Sequence, residues 1–384
     1  MKSNYKKLGN YIRQIDIRNT EGKTENLLGV SVQKQFIPSI ANTVGTDFAK
    51  YKVVKKGQFT YIPDTSRRGD KIGIALLEDY EEGLVSNVYT VFEVIDEKQL
   101  IPQYLMLWFS RPEFDRFARF KSHGSVREVM DWEEMCNVEL PIPEYAEQKR
   151  IVDSYNAIKE RIALKKQINN NLVATLQATY KELFDDADAK YEKVPLKSIC
   201  SKIGSGATPK GGKAAYFDEG ISFIRSTNVF DFHFEYSELA HINDEQADAL
   251  ANVTVEPYDV LFNITGVSVA RCCIVPSDVL PARVNQHVMI LRPIIGEQMS
   301  YYLMFTLCSA ENKAKLLGIG QSGSTREAIN KQELETYEIP LPDEAILNKF
   351  GSIAKSLYAH IQKNVKEMLA LEDMKTVLLT ELSR

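Results

Sequence analysis

A glycine-rich stretch with three lysines, "KIGSGATPKGGKAAYF" at residues 202–217, has the residue types of a phosphate-binding loop. A nucleotide-binding P-loop has Gly, four residues, and then Gly-Lys-Ser/Thr. Gly206 and Gly211 have this spacing, but Gly212 stands in the lysine position, and no hydroxyl residue follows Lys213. Two interpretations stay open: a flexible surface loop, or a loop that approaches the phosphates of a nucleic acid.

Polar and basic side chains also gather in other predicted loops. Lys, Ser and Thr suit phosphate, whereas Arg, Asn and Gln suit the edges of bases. Any one of these residues could simply be a solvated surface residue, but their concentration in turns between strands favours DNA contact. The predicted DNA-binding residues are Lys55, Lys56, Ser66, Arg67, Arg68, Lys71, Arg127, Lys202, Thr208, Lys210, Lys213, Arg225, Ser226, Asn228, Asn263, Thr265, Arg271, Gln286, His287 and Arg326.

The sequence carries no good signature of catalysis or of a metal site. The histidines are scattered, and neither H-E-x-x-H nor G-x-S-x-G occurs. The stretch "IPDTSRRGDK" mimics part of a nuclease signature, but Asp70 directly precedes Lys71, where an acid-x-Lys pair is expected. The Asn-Pro-Pro-aromatic motif of amino-methyltransferases is absent as well. We therefore predict a chain that is not itself an enzyme and that holds no metal or cofactor.

Length and composition indicate a globular chain of two domains. The 384 residues are 44% hydrophobic, with a net charge of −5. This charge argues against a protein coated in basic residues, but it leaves room for one basic face. The five cysteines show no C-x-x-C spacing, and no apolar run has the length of a membrane span. These features, together with an opening that lacks the apolar core of a signal peptide, predict a cytoplasmic protein.

An internal repeat organises the chain. The stretch "GSVREVMDWEEMCNVELPIPEYAEQKRIV" from Gly124 aligns without gaps with "GSTREAINKQELETYEIPLPDEAILNKFG" from Gly323, at an offset of 199 residues. The same register extends upstream more faintly, where Val85 stands opposite Val284. The sequence therefore predicts two related globular units, each followed by a related tail.

Each tail has the pattern of one long helix with an apolar seam. Apolar residues recur at steps of three and four, with polar interruptions at Lys165, Asn169 and Asn364 among others. We predict that the two tails pair as an antiparallel coiled coil; the alternative is that each packs on its own globular unit. The predicted seam consists of Ile151, Tyr155, Ile158, Ile162, Leu172, Leu176, Leu183, Phe350, Leu357, Ile361, Met368, Leu371, Leu378 and Leu382.

The globular units contain short β-type runs and helices with one apolar face, so we predict α+β domains with mostly antiparallel sheets. The predicted fold is a pseudo-twofold repeat of two such domains joined by two long helices. The predicted boundaries are 1–143 for the first domain, 144–186 for the central helix, 187–342 for the second domain and 343–384 for the C-terminal helix.

The segment "LPIPEYAEQKRIV", the helix that ends "LQATYKELF", and their echo "IPLPDEAILNKF" resemble the specificity subunits of type I restriction–modification systems. The resemblance covers essentially the whole chain, including "VPLKSICSKIGSGATPK" at the start of the second domain. The second copy departs from the pattern, because Leu347-Asn348-Lys349 stands where the first has Gln148-Lys149-Arg150.

This resemblance implies a specific function. Each globular unit would be a target-recognition domain for one half of a split, asymmetric sequence in double-stranded DNA. The paired helices would set the gap and dock two methyltransferase (M) subunits, which carry S-adenosylmethionine. Restriction/translocase (R) subunits, which need ATP and Mg, would join for cleavage. Two alternatives are a coiled-coil adaptor that does not bind DNA and a self-contained DNA methyltransferase or nuclease.

Overall fold

The computed structural model describes residues 5–39, 45–65, 71–122, 128–184, 190–209, 211–321 and 327–382. The chain forms two compact units. Unit 1 runs up to Leu164 and includes the C-terminal segment from Met368 onward, and unit 2 runs from Lys165 to Glu367. None of the helices in the described ranges combines the length and apolar character needed to cross a bilayer.

Unit 1 is built on an antiparallel sheet. Its strands are β1 (Tyr5–Lys7), β2 (Ile12–Ile15), β3 (Leu28–Val30), β4 (Phe36–Pro38), β5 (Lys52–Lys55), β6 (Phe59–Tyr61), β7 (Ile74–Leu76), β8 (Glu82–Val85), β9 (Thr90–Val94) and β10 (Glu139–Pro141). Strands β2, β9, β6 and β7 lie in this order, and every neighbouring pair is antiparallel. The pairs β5–β8, β3–β4 and β1–β10 lie outside this sheet.

The helices of unit 1 cover this sheet. They are α1 (Pro102–Phe109), α2 (Pro112–Lys121), α3 (Trp132–Cys136) and the first half of the long helix α4 (Tyr145–Phe184). Helices α1 and α2 both start with proline, whose fixed φ suits the first helical turn. The core centres on Phe59 and Phe92, whose rings stack at 4.8 Å, with Phe109 edge-on to both.

Unit 2 repeats this plan. Its strands are β11 (Lys193–Pro195), β12 (Cys200–Ser205), β13 (Ile221–Ile224), β14 (Val229–Phe230), β15 (His233–Phe234), β16 (Ala240–Ile242), β17 (Thr254–Val255), β18 (Val260–Asn263), β19 (Cys272–Ile274), β20 (Ala282–Val284), β21 (Val288–Pro293) and β22 (Glu338–Pro340). One antiparallel sheet has the order β12-β21-β18-β19. A second has the order β16-β13-β20-β17, in which only the β13–β20 pair is parallel.

The helices of unit 2 are α5 (Leu196–Ile199), α6 (Asp244–Ala249), α7 (Gly296–Cys308), α8 (Ala310–Gln321), α9 (Lys331–Thr336) and the first part of the long helix α10 (Glu344–Glu381). Capping boxes begin α6 at Asn243 and α9 at Asn330, since each Asn side chain accepts from a backbone N–H of the first turn. Helix α7 is buried over its whole circumference from Met299 to Leu307, so it forms the centre of this unit.

The two units share one topology. The order β2-β9-β6-β7 in unit 1 corresponds to β12-β21-β18-β19 in unit 2, and β1–β10 corresponds to β11–β22. The bridge between Leu27 and Leu84 is parallel, as is the β13–β20 pair. The predicted fold class, a repeated α+β unit with mostly antiparallel sheets and two long helices, is confirmed.

The long helices run antiparallel within each unit. In unit 1, Ile151 and Tyr155 of α4 pack on the same hydrophobic cluster as Leu379 and Leu382 of α10. In unit 2, Tyr180 and Phe184 near the end of α4 contact Phe350 near the start of α10, with ring centroids 5.8 and 5.6 Å apart. All of the predicted seam residues are buried or half-buried. The fully buried ones are Ile162, Leu176, Phe350, Ile361, Leu371 and Leu382.

A glutamine anchors the start of α4 in unit 1. Gln148 is completely buried. Its Oε1 accepts from the Ile101 N–H at 2.9 Å, and its Nε2 donates to the carbonyls of Gln99 and Pro143, both at 2.8 Å. Leu347 occupies the equivalent position of unit 2 and is 3% exposed. The departure of the second copy therefore replaces a polar anchor by an apolar one.

Candidate nucleic-acid interface

Four loops of unit 2 meet at one end of its sheets. The Gly206 N–H donates to the Asn285 carbonyl at 3.1 Å, and the Asn285 N–H donates to the Ile224 carbonyl at 3.0 Å. The Ile264 N–H donates to the His287 carbonyl, also at 3.0 Å. These bonds bring together loops 206–209, 225–228, 264–271 and 285–287, which we call the unit 2 loop surface.

A chain of polar side chains crosses this surface. The Thr208 hydroxyl donates to Oε1 of Gln286, whose Nε2 lies 3.1 Å from Nε2 of His287. The His287 Nδ1 lies 2.7 Å from the Thr265 hydroxyl. Thr208 and Gln286 are exposed. The structure thus brings four of the predicted residues into one hydrogen-bonded row with the donors and acceptors that base edges and phosphates require.

The same surface carries an apolar residue that sequence reasoning missed. Val267 is 96% exposed, and it follows Gly266, whose φ of +67° turns the loop outward. An aliphatic side chain at such a tip suits contact with the methyl group of thymine. The available signal was the glycine-containing turn of "NITGVSVAR", whose predicted DNA-binding residues are all polar and do not include the valines.

The glycine at the start of the lysine-rich loop has an internal reason. A Cβ on Gly206 would lie 1.7 Å from the carbonyl oxygen of Val284, so only glycine permits this close approach of two backbones. Gly211 has a φ of +103°, in the left-handed region. At Gly206, the missing Cβ therefore makes room for the backbone of Val284.

Two predicted arginines lie against aromatic rings. The Arg271 guanidinium is 4.5 Å from the ring centroid of Phe230, and that of Arg225 is 5.6 Å from the ring of Tyr216. Arg225 also donates to the Glu238 carbonyl, and its side chain is only 16% exposed. Neighbouring Ser226 is half-buried. Arg225 therefore belongs mainly to the internal structure of its loop.

Asn228 and Asn263 do not lie on the exposed surface where they were predicted, because both are completely buried. The Asn228 amide accepts from the Arg225 N–H at 3.0 Å and donates to the Glu235 carbonyl at 2.9 Å. Asn263 donates to the Ser226 carbonyl at 2.9 Å. These side chains hold the loops in place and do not reach a ligand at the surface.

Three of the predicted lysines, Lys55, Lys56 and Lys202, lie away from the loops that carry the other predicted residues. Lys202 lies within β12, where it pairs with Arg292 of β21. Its ammonium donates to the Asn252 carbonyl. Lys55 ends β5 and Lys56 begins the turn before β6, whereas Lys71 follows β6. The Lys56 ammonium is 2.8 Å from the Glu81 carboxylate. These lysines were grouped with the loop residues because they are close to them in sequence, but the structure does not place them together.

Unit 1 places two unpredicted residues where unit 2 has Gln286 and His287. By the repeat register these are Asn87 and Val88 in the turn between β8 and β9, and Val88 is 66% exposed. Tyr61 pairs with Thr90, so the segment 62–65 and the turn 86–89 lie together, and we call them the unit 1 loop surface. The alignment of Val85 with Val284 was the signal that could have identified this pair.

Several predicted residues lie outside the described residues. These are Ser66, Arg67, Arg68, Arg127, Lys210 and Arg326, together with the side chain of Lys213. Within the described ranges, no group of three or more His, Cys, Asp and Glu side chains is arranged to hold a metal ion.

A duplicated α+β unit, with a polar loop surface at the end of its sheets and a long helix after each copy, defines a modular recognition protein. The model of the type I restriction modification DNA specificity domain matches residues 2–174 and again residues 189–372. The chain belongs to this family and is a specificity subunit, which is a non-catalytic component of type I restriction–modification systems.

Known proteins agree with this assignment. The chain is 22% identical over 311 residues to the type I restriction enzyme MjaIX specificity subunit of Methanocaldococcus jannaschii, covering 75% of this chain and 70% of that protein. It is 25% identical over 139 residues to the HindI specificity subunit of Haemophilus influenzae, covering 36% and 30%. The fold matches the S subunit structure from M. genitalium with a TM-score of 0.60 at 13% identity, over 99% of this chain and 96% of that one.

Proposed function

We propose that this chain recognises a bipartite, asymmetric target in double-stranded DNA, with one half-site for each loop surface. The observation that carries the proposal is that the two units share one sheet topology but have different residues in the loops at the equivalent end of the sheet. Unit 2 presents Gln286 and His287 where unit 1 presents Asn87 and Val88. Because different side chains at equivalent positions select different bases, the two half-sites should differ.

The long helices would set the gap between the half-sites. Helix α4 is continuous over 40 residues, so it measures about 60 Å at 1.5 Å per residue. One heptad of such a helix spans about 10 Å, or roughly three base pairs of DNA. The length of the helices would therefore determine the number of unspecified base pairs between the two half-sites.

The repeat also supports docking of two methyltransferase subunits. Each tail follows the same Pro-x-Pro segment, which would provide two similar docking sites. Lys149 and Arg150 on α4 pair only with Asp153 and Glu147 of the same helix in the described contacts and remain exposed. The methyltransferase subunits would supply S-adenosylmethionine and flip the target adenine, and the restriction subunits would supply the ATP- and Mg-dependent steps.

An exchange of one recognition unit tests the proposal. Residues 1–143 would be replaced by those of a relative with a different target, and the chimaera expressed with its methyltransferase subunits. We expect long-read methylation mapping to show one half-site changed, with the other half-site and the gap unchanged.

The reciprocal exchange of residues 187–342 is the matched control, and it should change only the other half-site. A change of both half-sites after either exchange, or a methylated sequence without two separated parts, would contradict the proposal.

A further inference from the structure

Four polar side chains meet in the otherwise apolar seam between the long helices. The Lys165 ammonium donates to Oδ1 of Asn364 at 3.1 Å and lies 2.6 Å from the Glu367 carboxylate. Nδ2 of Asn364 donates to Oδ1 of Asn169 at 2.8 Å. The Lys165 side chain is only 14% exposed. We call Lys165, Asn169, Asn364 and Glu367 the seam quartet.

The seam quartet includes a contact between equivalent positions of the two repeats, since Lys165 and Asn364 are 199 residues apart. The apolar packing repeats in the same way: Tyr180 contacts Phe350 in unit 2, and the equivalent residues Leu379 and Ile151 pack on one hydrophobic cluster of unit 1. The register of the helices is therefore the one in which both repeats make matching contacts.

An apolar seam alone does not specify such a register. Leucine and isoleucine pack against one another in several alignments of two helices, whereas a half-buried amide or ammonium has its partners in one alignment only. A slip of one helical turn would leave Lys165 and the two asparagines in the seam without acceptors and donors. The seam quartet thus penalises every alignment except the observed one.

We propose that the seam quartet fixes the register of α4 against α10, and that this fixed register keeps the gap of the bipartite target at a single length. The inference rests on the proposed function, in which the helices set the gap. Lys165, Asn169, Asn364 and Glu367 are positioning residues in this scheme, because they act through the helices and do not touch DNA.

Charge reversal and rescue provide the test. Lys165→Glu places a second carboxylate beside Glu367, and Glu367→Lys places a second ammonium beside Lys165. The double variant Lys165→Glu/Glu367→Lys restores opposite charges. Lys166→Glu makes the same change of charge at an exposed neighbouring position and is the matched control. Each chain would be expressed with its methyltransferase subunits, and every methylated site would be mapped with its gap length.

We expect the single variants to methylate sites whose gap differs by one to three base pairs, at least about tenfold more often than the wild type does. The double variant and Lys166→Glu should keep the wild-type gap, and no variant should alter a half-site. Thermal unfolding of each complex identifies a variant that fails to fold.

A second replacement keeps the proposal falsifiable if charge reversal prevents folding. Lys165→Met/Asn169→Leu/Asn364→Leu/Glu367→Leu makes the seam apolar, so the helices should still associate but with mixed gap lengths. If this variant and the single variants still methylate only sites with the wild-type gap, whether at a normal or a reduced level, the seam quartet does not fix the gap and the inference is wrong. If the wild type shows no bipartite target at all, it is the proposed function that fails.

Discussion

The corner before strand β6 in unit 1 and the corner before β18 in unit 2 are closed by the same geometry with different side chains. In unit 1, Oε1 of Gln58 accepts from the N–H of Lys55, three residues earlier, at 2.8 Å. In unit 2, Oδ2 of Asp259 accepts from the N–H of Glu256, again three residues earlier, at 2.7 Å. The acceptor that closes the corner is thus a neutral amide in unit 1 and a carboxylate in unit 2.

The cross-strand partners of these corners have changed to match. Nε2 of Gln58 donates to Glu93, which is also paired with Arg13. Asp259 instead accepts from Arg292 at 2.7 and 2.8 Å. Glu93 and Arg292 occupy equivalent positions opposite the corner, with opposite charges. The two units therefore share one backbone plan, while the charged residues placed on it differ in compensating sets.

The two units differ in where their carboxylate lies, since Asp259 stands at the corner itself and Glu93 lies on the strand opposite the corner. The Asp259 side chain is completely buried, whereas the Glu93 side chain is 22% exposed. Burial raises the pKa of Asp259, an effect that the hydrogen bonds from Arg292 oppose, and the same hydrogen bonds raise the pKa of Arg292. Unit 2 therefore depends on its ion pair more strongly than unit 1 depends on its own.

The largest expected effect follows from this dependence. Arg292→Met leaves the Asp259 carboxylate buried without its cation, so we expect a loss of about 3–5 kcal/mol in the free energy of unfolding of unit 2. Glu93→Gln in unit 1 keeps an acceptor for Gln58 and should cost about 1 kcal/mol or less. Denaturant unfolding of the two purified variants measures the difference, and equal losses would show that the two units depend equally on these residues.

The helix anchors give the next effect. Gln148→Leu introduces the residue type found at the equivalent position of unit 2, but it leaves the Ile101 N–H and two carbonyls without a partner, which should cost about 2–4 kcal/mol. Leu347→Gln buries an amide in an apolar site and should destabilise unit 2 by a similar amount. Thermal and denaturant unfolding test both variants. A neutral result for either one would show that the two anchors are interchangeable.

The smallest effect concerns the loop surfaces. Gln286→Ala removes the centre of the polar row in unit 2, and we expect specific DNA binding by the complex to weaken by about 1–3 kcal/mol. The loss should appear as relaxed preference at one half-site only. Asn87→Ala in unit 1 is the matched variant and should relax the other half-site. Equal weakening on random DNA for both variants would reassign these residues to phosphate contact.

The sequence predicted the features that depend on periodicity and repetition. The apolar steps of three and four predicted the long helices, and the gapless alignment predicted two units of one topology. These patterns extend over many residues, so no single position decides them.

Individual site residues were less predictable because residue type does not tell which end of a strand a side chain occupies. Lys55 and Lys71 are close in sequence, yet they flank opposite ends of β6. Asn263 and Gln286 have similar chemistry, yet one is completely buried and the other exposed. These differences arise from strand register and loop folding, which only the tertiary structure defines.

The anchor at Gln148 has a consequence for how such proteins diversify. All three of its hydrogen bonds go to main-chain atoms, at Gln99, Ile101 and Pro143. These hydrogen bonds therefore make no demand on the side chains of those neighbours. Recombination between relatives can import a unit of foreign sequence and still find the joint intact, so new specificities can arise by shuffling whole modules before any point mutation refines them.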